Sequence, residues 1–272
     1  MSSGAVAGLV PMTASPTSPD LTSPDLTGRT AVVTGASRGF GLGISVALAA
    51  AGAHVVGVAR AAGPLHALGE RLGASFTPVT GDAADPAIAE DLVRTHRPSV
   101  LVLNAGAVPP MAPFTDMSWD DFSHNWRVDT RHAFHWAGAA ITTPLAPDSV
   151  VVTLSSGAAL HGSPVSGGYA GAKAAVRFIS SYAAAESTRL GLGLRFVTLL
   201  PSLTPATDFG TAAVTAYADR RGDDLSTVVA GLRPFLTPEQ VGREVVRIVA
   251  DPATPAHAEY LLSENGREVV PR

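Results

Sequence analysis

The segment Thr30-Ala31-Val32-Val33-Thr34-Gly35-Ala36-Ser37-Arg38-Gly39-Phe40-Gly41 decides the fold, because a short β-branched strand runs directly into a glycine-rich loop. A helical run over residues 42–51 follows the loop. Glycines let the backbone turn tightly and leave the amides at a helix N-terminus open to a pyrophosphate, which the helix dipole favours. A glycine-rich loop between a strand and a helix is a dinucleotide-binding fingerprint. The nucleotide contacts predicted from it are Gly35, Ser37, Arg38, Gly39, Phe40 and Gly41.

Six further short apolar runs alternate with longer helical patterns after this segment. They are residues 54–59, 75–79, 99–103, 149–155, 194–199 and 259–262. Alternating strands and helices indicate a parallel sheet, and strands that are apolar throughout are covered on both faces. With right-handed crossovers, the sequence predicts a Rossmann-type doubly wound α/β fold of seven mainly parallel strands with helices on both faces. Functional residues should then follow directly after strands.

The length and local composition indicate one catalytic domain over residues 27–272, since a chain of 272 residues can bury one large core. Residues 1–26 are rich in Ser, Thr, Pro and Ala, and Thr-Ser-Pro-Asp-Leu occurs twice in succession, at 17–21 and 22–26. This composition predicts a disordered N-terminal leader.

Charge and composition exclude several classes of function. A net charge of −4 and an isoelectric point near 6.0 provide no basic surface for a nucleic acid or an anionic membrane. The chain has no cysteine, so disulfides, thiolate nucleophiles and cysteine-ligated metals are excluded. The eight histidines show no metal-ligand spacing. No basic signal region and no long apolar stretch are found, so we expect a cytoplasmic protein acting on a small molecule.

The end of the second strand indicates the cofactor. An acidic residue there binds the ribose 2′-hydroxyl of NAD, whereas an arginine suits the 2′-phosphate of NADP. The sequence reads Val58-Ala59-Arg60, and Arg60 together with Arg38 can clamp a phosphate through charge-assisted hydrogen bonds. The pair predicts NADP(H); the alternative for either arginine alone is a solvated surface cation.

Two more strand ends carry candidate cofactor contacts. Asp82 and Ala83 follow the third strand, where Asp82 is placed either to bind the adenine amine or to cap the next helix. Asn104, Ala105 and Gly106 follow the fourth strand, where a bulky side chain would obstruct the ribose.

Tyr169 and Lys173 form the candidate catalytic pair. They stand four residues apart at the start of a helical run over residues 169–189, so they share one helix face. Lowering the pKa of a tyrosine from about 10 to about 7 takes roughly 4 kcal/mol. One cation about 4 Å away supplies roughly that amount at an effective dielectric constant of about 20. Tyr169 is therefore predicted to act as an acid or base at neutral pH.

Together these motifs resemble the short-chain dehydrogenase/reductase family of the classical type, over residues 27–272. The family's T-G-x-x-x-G-x-G matches Thr34 to Gly41, its N-A-G matches Asn104 to Gly106, and its Y-x-x-x-K matches Tyr169 to Lys173. The strand alternation leaves Ser155 and Ser156 open as the catalytic serine. The family's serine precedes the tyrosine by thirteen residues, which selects Ser156 with Ser155 as the runner-up.

The resemblance implies a mechanism and an assembly. Ser156 would orient a substrate carbonyl, Tyr169 would protonate its oxygen, and Lys173 would bind the nicotinamide ribose and depress the tyrosine pKa, with hydride coming from the cofactor. It also implies a homo-oligomer, a tetramer or dimer, built on helices that include residues 119–140 and 169–189.

Two departures from the family pattern stand out. Asp129 occupies the position of an asparagine that holds a proton-relaying water, and an ionised aspartate there would favour the charged lysine and shift the pH profile. Asn125, one turn earlier on the same face, is an alternative that the register disfavours. The family's Pro-Gly reads Pro201-Ser202, and the nicotinamide contact expected nearby is assigned to Thr204, with Thr207 as the other choice.

The segments expected to line the substrate pocket are mostly apolar, and they predict a hydrophobic ketone or secondary alcohol. They are residues 107–111, Leu203, Phe209 and Tyr217, the last three within an insertion over 202–234 that is predicted to form a lid. Two other functions fit the same fold: a non-catalytic NADP(H) sensor or scaffold, and a lyase or epimerase that recycles a bound nucleotide.

Overall fold

A computed structural model describes residues 24–143 and 145–271 of the chain. Its strands form one eight-stranded sheet in the order β3-β2-β1-β4-β5-β6-β7-β8. The strands are β1 (Thr30–Thr34), β2 (His54–Ala59), β3 (Phe76–Thr80), β4 (Val100–Leu103), β5 (Val150–Leu154), β6 (Arg195–Pro201), β7 (His257–Ser263) and β8 (Gly266–Val269).

Ten α-helices connect or follow these strands in the described part of the chain. They are α1 (Gly39–Ala50), α2 (Ala62–Leu72), α3 (Pro86–His96), α4 (Trp119–Asn125), α5 (Arg131–Thr142), α6 (Ala158–His161), α7 (Gly167–Leu190), α8 (Asp208–Arg221), α9 (Leu225–Gly231) and α10 (Pro238–Ala250). A π-helical turn, Trp126–Thr130, joins α4 to α5.

The doubly wound α/β fold predicted from the sequence is confirmed. Strands β1 to β7 pair in parallel, and the central residues of β1, β2, β4, β5 and β6 are buried, whereas those of the outer strands β3 and β7 are mostly half-buried. One apolar core packs α1, α2 and α10 against one face, through side chains such as Leu48 and Val245. The other core packs α3, α5 and α7 against the opposite face, around Trp136.

The strand order reverses between β1 and β4, which places the ligand crevice at their carboxyl ends. From β1 the chain winds outward through β2 and β3, and it then crosses to β4 on the other side of β1. Loops that leave neighbouring strands in opposite directions open a crevice at this point of an α/β sheet. The glycine-rich loop and the segment after β4 therefore meet at the same edge.

The predicted count of seven strands is one too low. β8 pairs antiparallel with β7, with Ser263 opposite Gly266. The two-residue turn is Glu264-Asn265, and the Asn265-Gly266 dipeptide is a turn signal, so an indication of this hairpin was present in the sequence. The antiparallel strand lies at the far edge of the sheet from the crevice.

Two predicted boundaries also differ from the structure. α1 begins at Gly39 rather than at residue 42, because tertiary packing and the Leu42 N–H bond to the Arg38 carbonyl overcome the poor helix propensity of glycine. Residues 1–23 of the predicted leader lie outside the described residues. Its last residue, Leu26, belongs to the folded core: the side chain is 1% exposed and its N–H donates to Ala51 O at 2.7 Å.

No helix in residues 24–143 or 145–271 combines the length and apolarity needed to cross a bilayer.

Leu26→Ala should lower the free energy of unfolding by about 2–5 kcal/mol, because it removes a fully buried side chain from a packed core. Leu190→Ala is the matched control, since Leu190 is 45% exposed and its loss should change stability by no more than about 0.5 kcal/mol. Denaturant unfolding of both variants measures the difference. Equal stability of the two would show that Leu26 is no part of the core.

Candidate active site

Hydrogen bonds from Thr34 and Asn104 hold the ends of β1 and β4 together. The Thr34 hydroxyl donates to Val102 O at 3.1 Å and accepts the N–H groups of Asn104 and Ala105 at 3.0 and 3.1 Å. The Asn104 side-chain amide donates to Thr34 O at 2.9 Å. Thr34, which the family motif includes without a predicted contact, is thus the residue that fixes the crevice edge.

The glycine-rich loop approaches this link too closely for any side chain. A Cβ on Gly41 would lie 2.1 Å from Gly35 O and 2.5 Å from the Asn104 side-chain nitrogen. Gly35 itself has φ of +67°, which is in the left-handed region. Both glycines are therefore required by the backbone geometry.

The N-terminus of α1 has the features of an anion site. Arg38 occupies the N-cap position without a side-chain cap, and the first turn contains no acidic residue. The first-turn amides therefore have no side-chain acceptor, and the helix dipole favours a negative charge at this end. With the glycines leaving the backbone open, these residues fit the pyrophosphate of a dinucleotide.

Arg38, Arg60 and Asp82 lie on three loops that run side by side. The backbone joins these loops through Ala36 N to Val58 O at 3.1 Å and Gly81 N to Ala59 O at 3.0 Å. Both arginines are exposed, and no carboxylate follows β2. A basic pair without a competing acid at the end of β2 fits a 2′-phosphate.

Asp82 does not cap the following helix. The N-cap of α3 is Asp85, whose side chain accepts the N–H of Ala87. Asp82 instead accepts the N–H of Ala84 at 3.0 Å within the turn, and its side chain is exposed. Ala83 is buried, and its carbonyl accepts the indole N–H of Trp136 at 2.8 Å.

The structure separates the two serines at the end of β5. Ser156 forms a side-chain hydrogen bond with Tyr169 and also accepts the N–H of Ala158 at 3.2 Å. Ser155 points the other way and donates to the backbone oxygen of Lys173 at 2.8 Å. Ser156 thus faces the tyrosine, whereas Ser155 anchors helix α7 to the strand.

Tyr169 and Lys173 lie one turn apart in the first half of α7, as the spacing predicts. The Lys173 ammonium lies 5.7 Å from the centre of the Tyr169 ring. Both side chains are buried, which removes the solvent that would otherwise screen their interaction.

Asp129 forms a buried ion pair with Lys173. The two side chains are 1% and 7% exposed, and Asp129 Oδ2 lies 3.2 Å from Lys173 Nζ. Lys173 also donates to Leu154 O at 3.1 Å. Asp129 sits in the π-helical turn Trp126–Thr130, a type of distortion that is frequent at functional sites.

Asn125 belongs to the same network, although the sequence register favoured Asp129 alone. Asp129 Oδ1 accepts the N–H of Ala107 at 2.8 Å, and the Asn125 amide donates to Ala107 O at 2.8 Å and to Asp129 Oδ1 at 3.4 Å. Gly106 leaves room for the carboxylate, since a Cβ there would lie 2.8 Å from Asp129 Oδ2. The two residues together hold the segment after β4.

The direction of the tyrosine pKa differs from the sequence prediction. Burial raises the pKa of Tyr169 above its usual value, and this outweighs the lowering by Lys173 and by the Ser156 hydrogen bond, while Asp129 raises it further. For Lys173, burial opposes the charged form, yet Asp129 and Tyr169 more than offset it and the pKa is raised. Tyr169 therefore retains its proton at neutral pH, as a proton donor requires.

His132 is a fourth titratable group, beside Tyr169, Lys173 and Asp129. It is buried, and burial together with the nearby Lys173 lowers its pKa to about 3. The His132 imidazole is therefore neutral at physiological pH.

Backbone hydrogen bonds to neighbouring segments hold the chain in place after β6. Pro201 O accepts the N–H of Gly157, and Ser202 N–H donates to Leu262 O. Thr204, the predicted nicotinamide contact, is 4% exposed and its hydroxyl donates to Leu236 O at 2.6 Å. Its side chain is thus engaged within the protein.

The predicted lid segment, residues 202–234, consists largely of α8 and α9. The Phe209 ring of α8 lies 5.1 Å from the Tyr169 ring, centre to centre, and covers it. Asp208 of the same helix lies 3.9 Å from Arg38 of the glycine-rich loop, in an exposed ion pair. The predicted lid segment therefore borders both the tyrosine and the glycine-rich loop.

The site as a whole brings together a buried tyrosine, a buried lysine and the uncapped N-terminus of α1 at one crevice. The Tyr169 hydroxyl is a buried acid with a hydrogen-bonded serine beside it. Such a group can protonate an oxygen held against it.

Comparison with known proteins gives full-length matches at moderate identity. L-rhamnose 1-dehydrogenase (NAD(P)(+)) from Sphingomonas sp. (strain SKA58) is 28% identical over 90% of this chain and 98% of its own length. D-threitol dehydrogenase from Mycolicibacterium smegmatis is 29% identical over 89% and 93%. A crystal structure from Beutenbergia cavernae, described as an NAD(P)-dependent gluconate 5-dehydrogenase with bound NADP at low occupancy, has a TM-score of 0.74 at 29% identity. The match covers 88% of this chain and 97% of that one.

The family model for short chain dehydrogenases matches residues 29–217. The matched region runs from β1 to the second half of α8, and it contains the glycine-rich loop, Asn104, Ser156, Tyr169 and Lys173. The chain belongs to the short chain dehydrogenase family.

Proposed function

We propose that this chain is an NADP(H)-dependent oxidoreductase that transfers a hydride between the nicotinamide and a ketone or secondary alcohol. The observation that carries the proposal is the cluster of buried Tyr169 and Lys173 with half-buried Ser156, at the same crevice as the open N-terminus of α1. The oxidoreductases among its relatives support the same reaction class.

In the proposed reaction, Ser156 and Tyr169 bind the substrate oxygen, and Tyr169 donates its proton to that oxygen during reduction. The bound nicotinamide would supply the hydride. Lys173 stabilises the phenolate left behind, because an opposite charge nearby favours the ionised form. In the oxidation of an alcohol, the same tyrosine takes the proton back.

The proposed cofactor contacts follow the loops at the crevice. Arg38 and Arg60 would bind the 2′-phosphate, the first turn of α1 the pyrophosphate, and Asp82 the adenine. Asn104 to Gly106 and Lys173 would border the ribose, and the loop from Pro201 to Thr204 the nicotinamide. The structure favours the backbone of this last loop, since the Thr204 hydroxyl bonds to Leu236 O.

The proposed substrate has an apolar portion beside its carbonyl. Val108 and Leu203 are 46% and 42% exposed at the rim of the crevice, and Phe209 covers Tyr169 from the lid. Partly exposed apolar side chains around a concave site favour an apolar ligand surface.

The proposed oligomer uses the outer surface of α5 and α7. Phe134 on α5 is 63% exposed, and Phe178 and Tyr182 on α7 are 56% and 66% exposed and stack on each other. Exposed aromatic groups of this kind are enriched at protein interfaces. This surface supports a dimer or tetramer of the chain.

Arg60→Ala should weaken NADPH binding about tenfold or more and leave NADH binding unchanged, because it removes a charge-assisted contact to the 2′-phosphate alone. Fluorescence titration with both nucleotides measures the effect. Arg94→Ala is the matched control, since Arg94 is an exposed arginine paired with Asp91 on α3. A parallel loss of NADH affinity would contradict the assignment of Arg60 to the phosphate.

Tyr169→Phe should lower kcat for ketone reduction by about 10²–10⁴-fold, because it removes the proton donor while preserving the ring. Steady-state NADPH oxidation gives kcat, and NADPH titration checks that the cofactor still binds. Tyr260→Phe on β7 is the control and should retain activity. A Tyr169→Phe variant with wild-type kcat would rule out the proposed acid.

Asp129→Asn should move the pH profile of ketone reduction toward lower pH. Reduction needs protonated Tyr169, so kcat/KM falls as the pH rises through the tyrosine pKa. The Asp129 carboxylate raises that pKa, and an uncharged amide of the same shape removes this contribution. The decline in kcat/KM should then begin at lower pH than in the wild type, whereas an unchanged profile in a folded variant would show that Asp129 does not act on Tyr169.

A further inference from the structure

Three hydroxyl groups join the lid helix to the loop that precedes α7. The Tyr217 hydroxyl of α8 lies 2.7 Å from Ser163 Oγ, and Ser166 Oγ donates to Ser163 Oγ at 2.7 Å. Ser166 is 5% exposed, and the other two side chains are partly buried. We refer to Tyr217, Ser163 and Ser166 as the hydroxyl chain.

The hydroxyl chain lies in the wall of the proposed substrate pocket. Tyr217 follows Phe209 by eight residues on α8, about two turns, so both point to the same side of the lid. Phe209 contacts the Tyr169 ring, and Ser166 precedes Tyr169 by three residues.

The loop after β4 reaches the same place. Ala112 N–H donates to Val165 O at 2.9 Å, which joins the pocket segment after β4 to the loop carrying Ser163 and Ser166. Three elements thus surround Tyr169, and two of them carry the hydroxyl chain.

The hydroxyl chain has hydrogen-bonding capacity to spare. Three hydroxyls supply three protons, and the two hydrogen bonds within the chain use two of them. If Ser163 donates to Tyr217, the tyrosine proton remains available; if Tyr217 donates, the Ser163 proton does. In either arrangement the chain offers one donor together with free lone pairs.

We propose that the hydroxyl chain recognises a hydroxyl group that the substrate carries in addition to its reacting carbonyl. The inference rests on the proposed function and names its substrate class as hydroxylated ketones and the corresponding polyols. A hydroxyl group both donates and accepts, so it satisfies the spare proton and the lone pairs together. A purely apolar ketone that broke the hydrogen bond between Tyr217 and Ser163 would leave these hydroxyl groups without hydrogen-bond partners.

A purely mechanical role for the same contact predicts a different result. If the Tyr217 to Ser163 bond only fastens the lid, its loss affects every substrate to the same extent. Discrimination between a hydroxylated ketone and its deoxy counterpart separates the two roles, because only recognition depends on the substrate hydroxyl.

The experiment compares kcat/KM for a linear five-carbon methyl ketone with that for the same ketone bearing a hydroxyl on its terminal or penultimate carbon. Wild type, Tyr217→Phe and Ser163→Ala are each assayed with saturating NADPH. Thr215→Val is the matched control, because it deletes a hydroxyl of α8 that bonds within its own helix, to Thr211 O. NADPH titration confirms that each variant is folded.

We expect the wild type to prefer at least one hydroxylated ketone, and Tyr217→Phe and Ser163→Ala to reduce this preference about tenfold or more. Thr215→Val should keep it. Equal losses on both ketones, or no preference in the wild type, overturn the inference while leaving the proposed function intact. Failure of every ketone to oxidise bound NADPH overturns the proposed function and this inference with it.

Discussion

The buried ion pair between Asp129 and Lys173 is the constraint on which the site depends. An uncompensated charge in a protein interior costs several kcal/mol, so neither side chain can be buried without the other. Lys173 also bonds to the backbone at the end of β5, and Asp129 to the backbone after β4. The pair thus fixes the position of α7, and of Tyr169 one turn away, relative to two strand ends of the sheet.

The same pair sets the charge around the tyrosine. An isolated cation would favour the phenolate, but Asp129 opposes this and the lid residue Phe209 helps to bury the ring. The result is a tyrosine whose pKa lies above its usual value, so it keeps its proton at neutral pH. This state suits the proposed reduction, and it would make the predicted lid part of the chemistry, because an opening of α8 would change both access to Tyr169 and its exposure to water.

Local sequence patterns were enough to predict the fold, the glycine-rich loop and the tyrosine–lysine pair. The remaining features of the site depend on tertiary contacts. The strand, glycine loop and helix at Thr34 to Gly41, and the four-residue spacing of the tyrosine and lysine, are local features that a sequence displays. The choice of Ser156 needed the family register, because alternation along a strand does not identify which of two adjacent residues faces the crevice. The inclusion of Asn125 in the network, the burial of Leu26 and the upward direction of the tyrosine pKa depend on groups distant in sequence, so no local pattern contains them.

The most direct test of the account is to follow the hydride itself. The protein is incubated with NADPH deuterated on the transferring position and with a ketone panel, and the product alcohols are analysed by mass spectrometry. The account predicts one deuterium on the new carbinol carbon and one NADP⁺ formed for each alcohol. NADPH that binds but is never consumed would indicate a sensor or scaffold, and product formed without net oxidation of NADPH would indicate a lyase or epimerase; either result would contradict the proposed reaction.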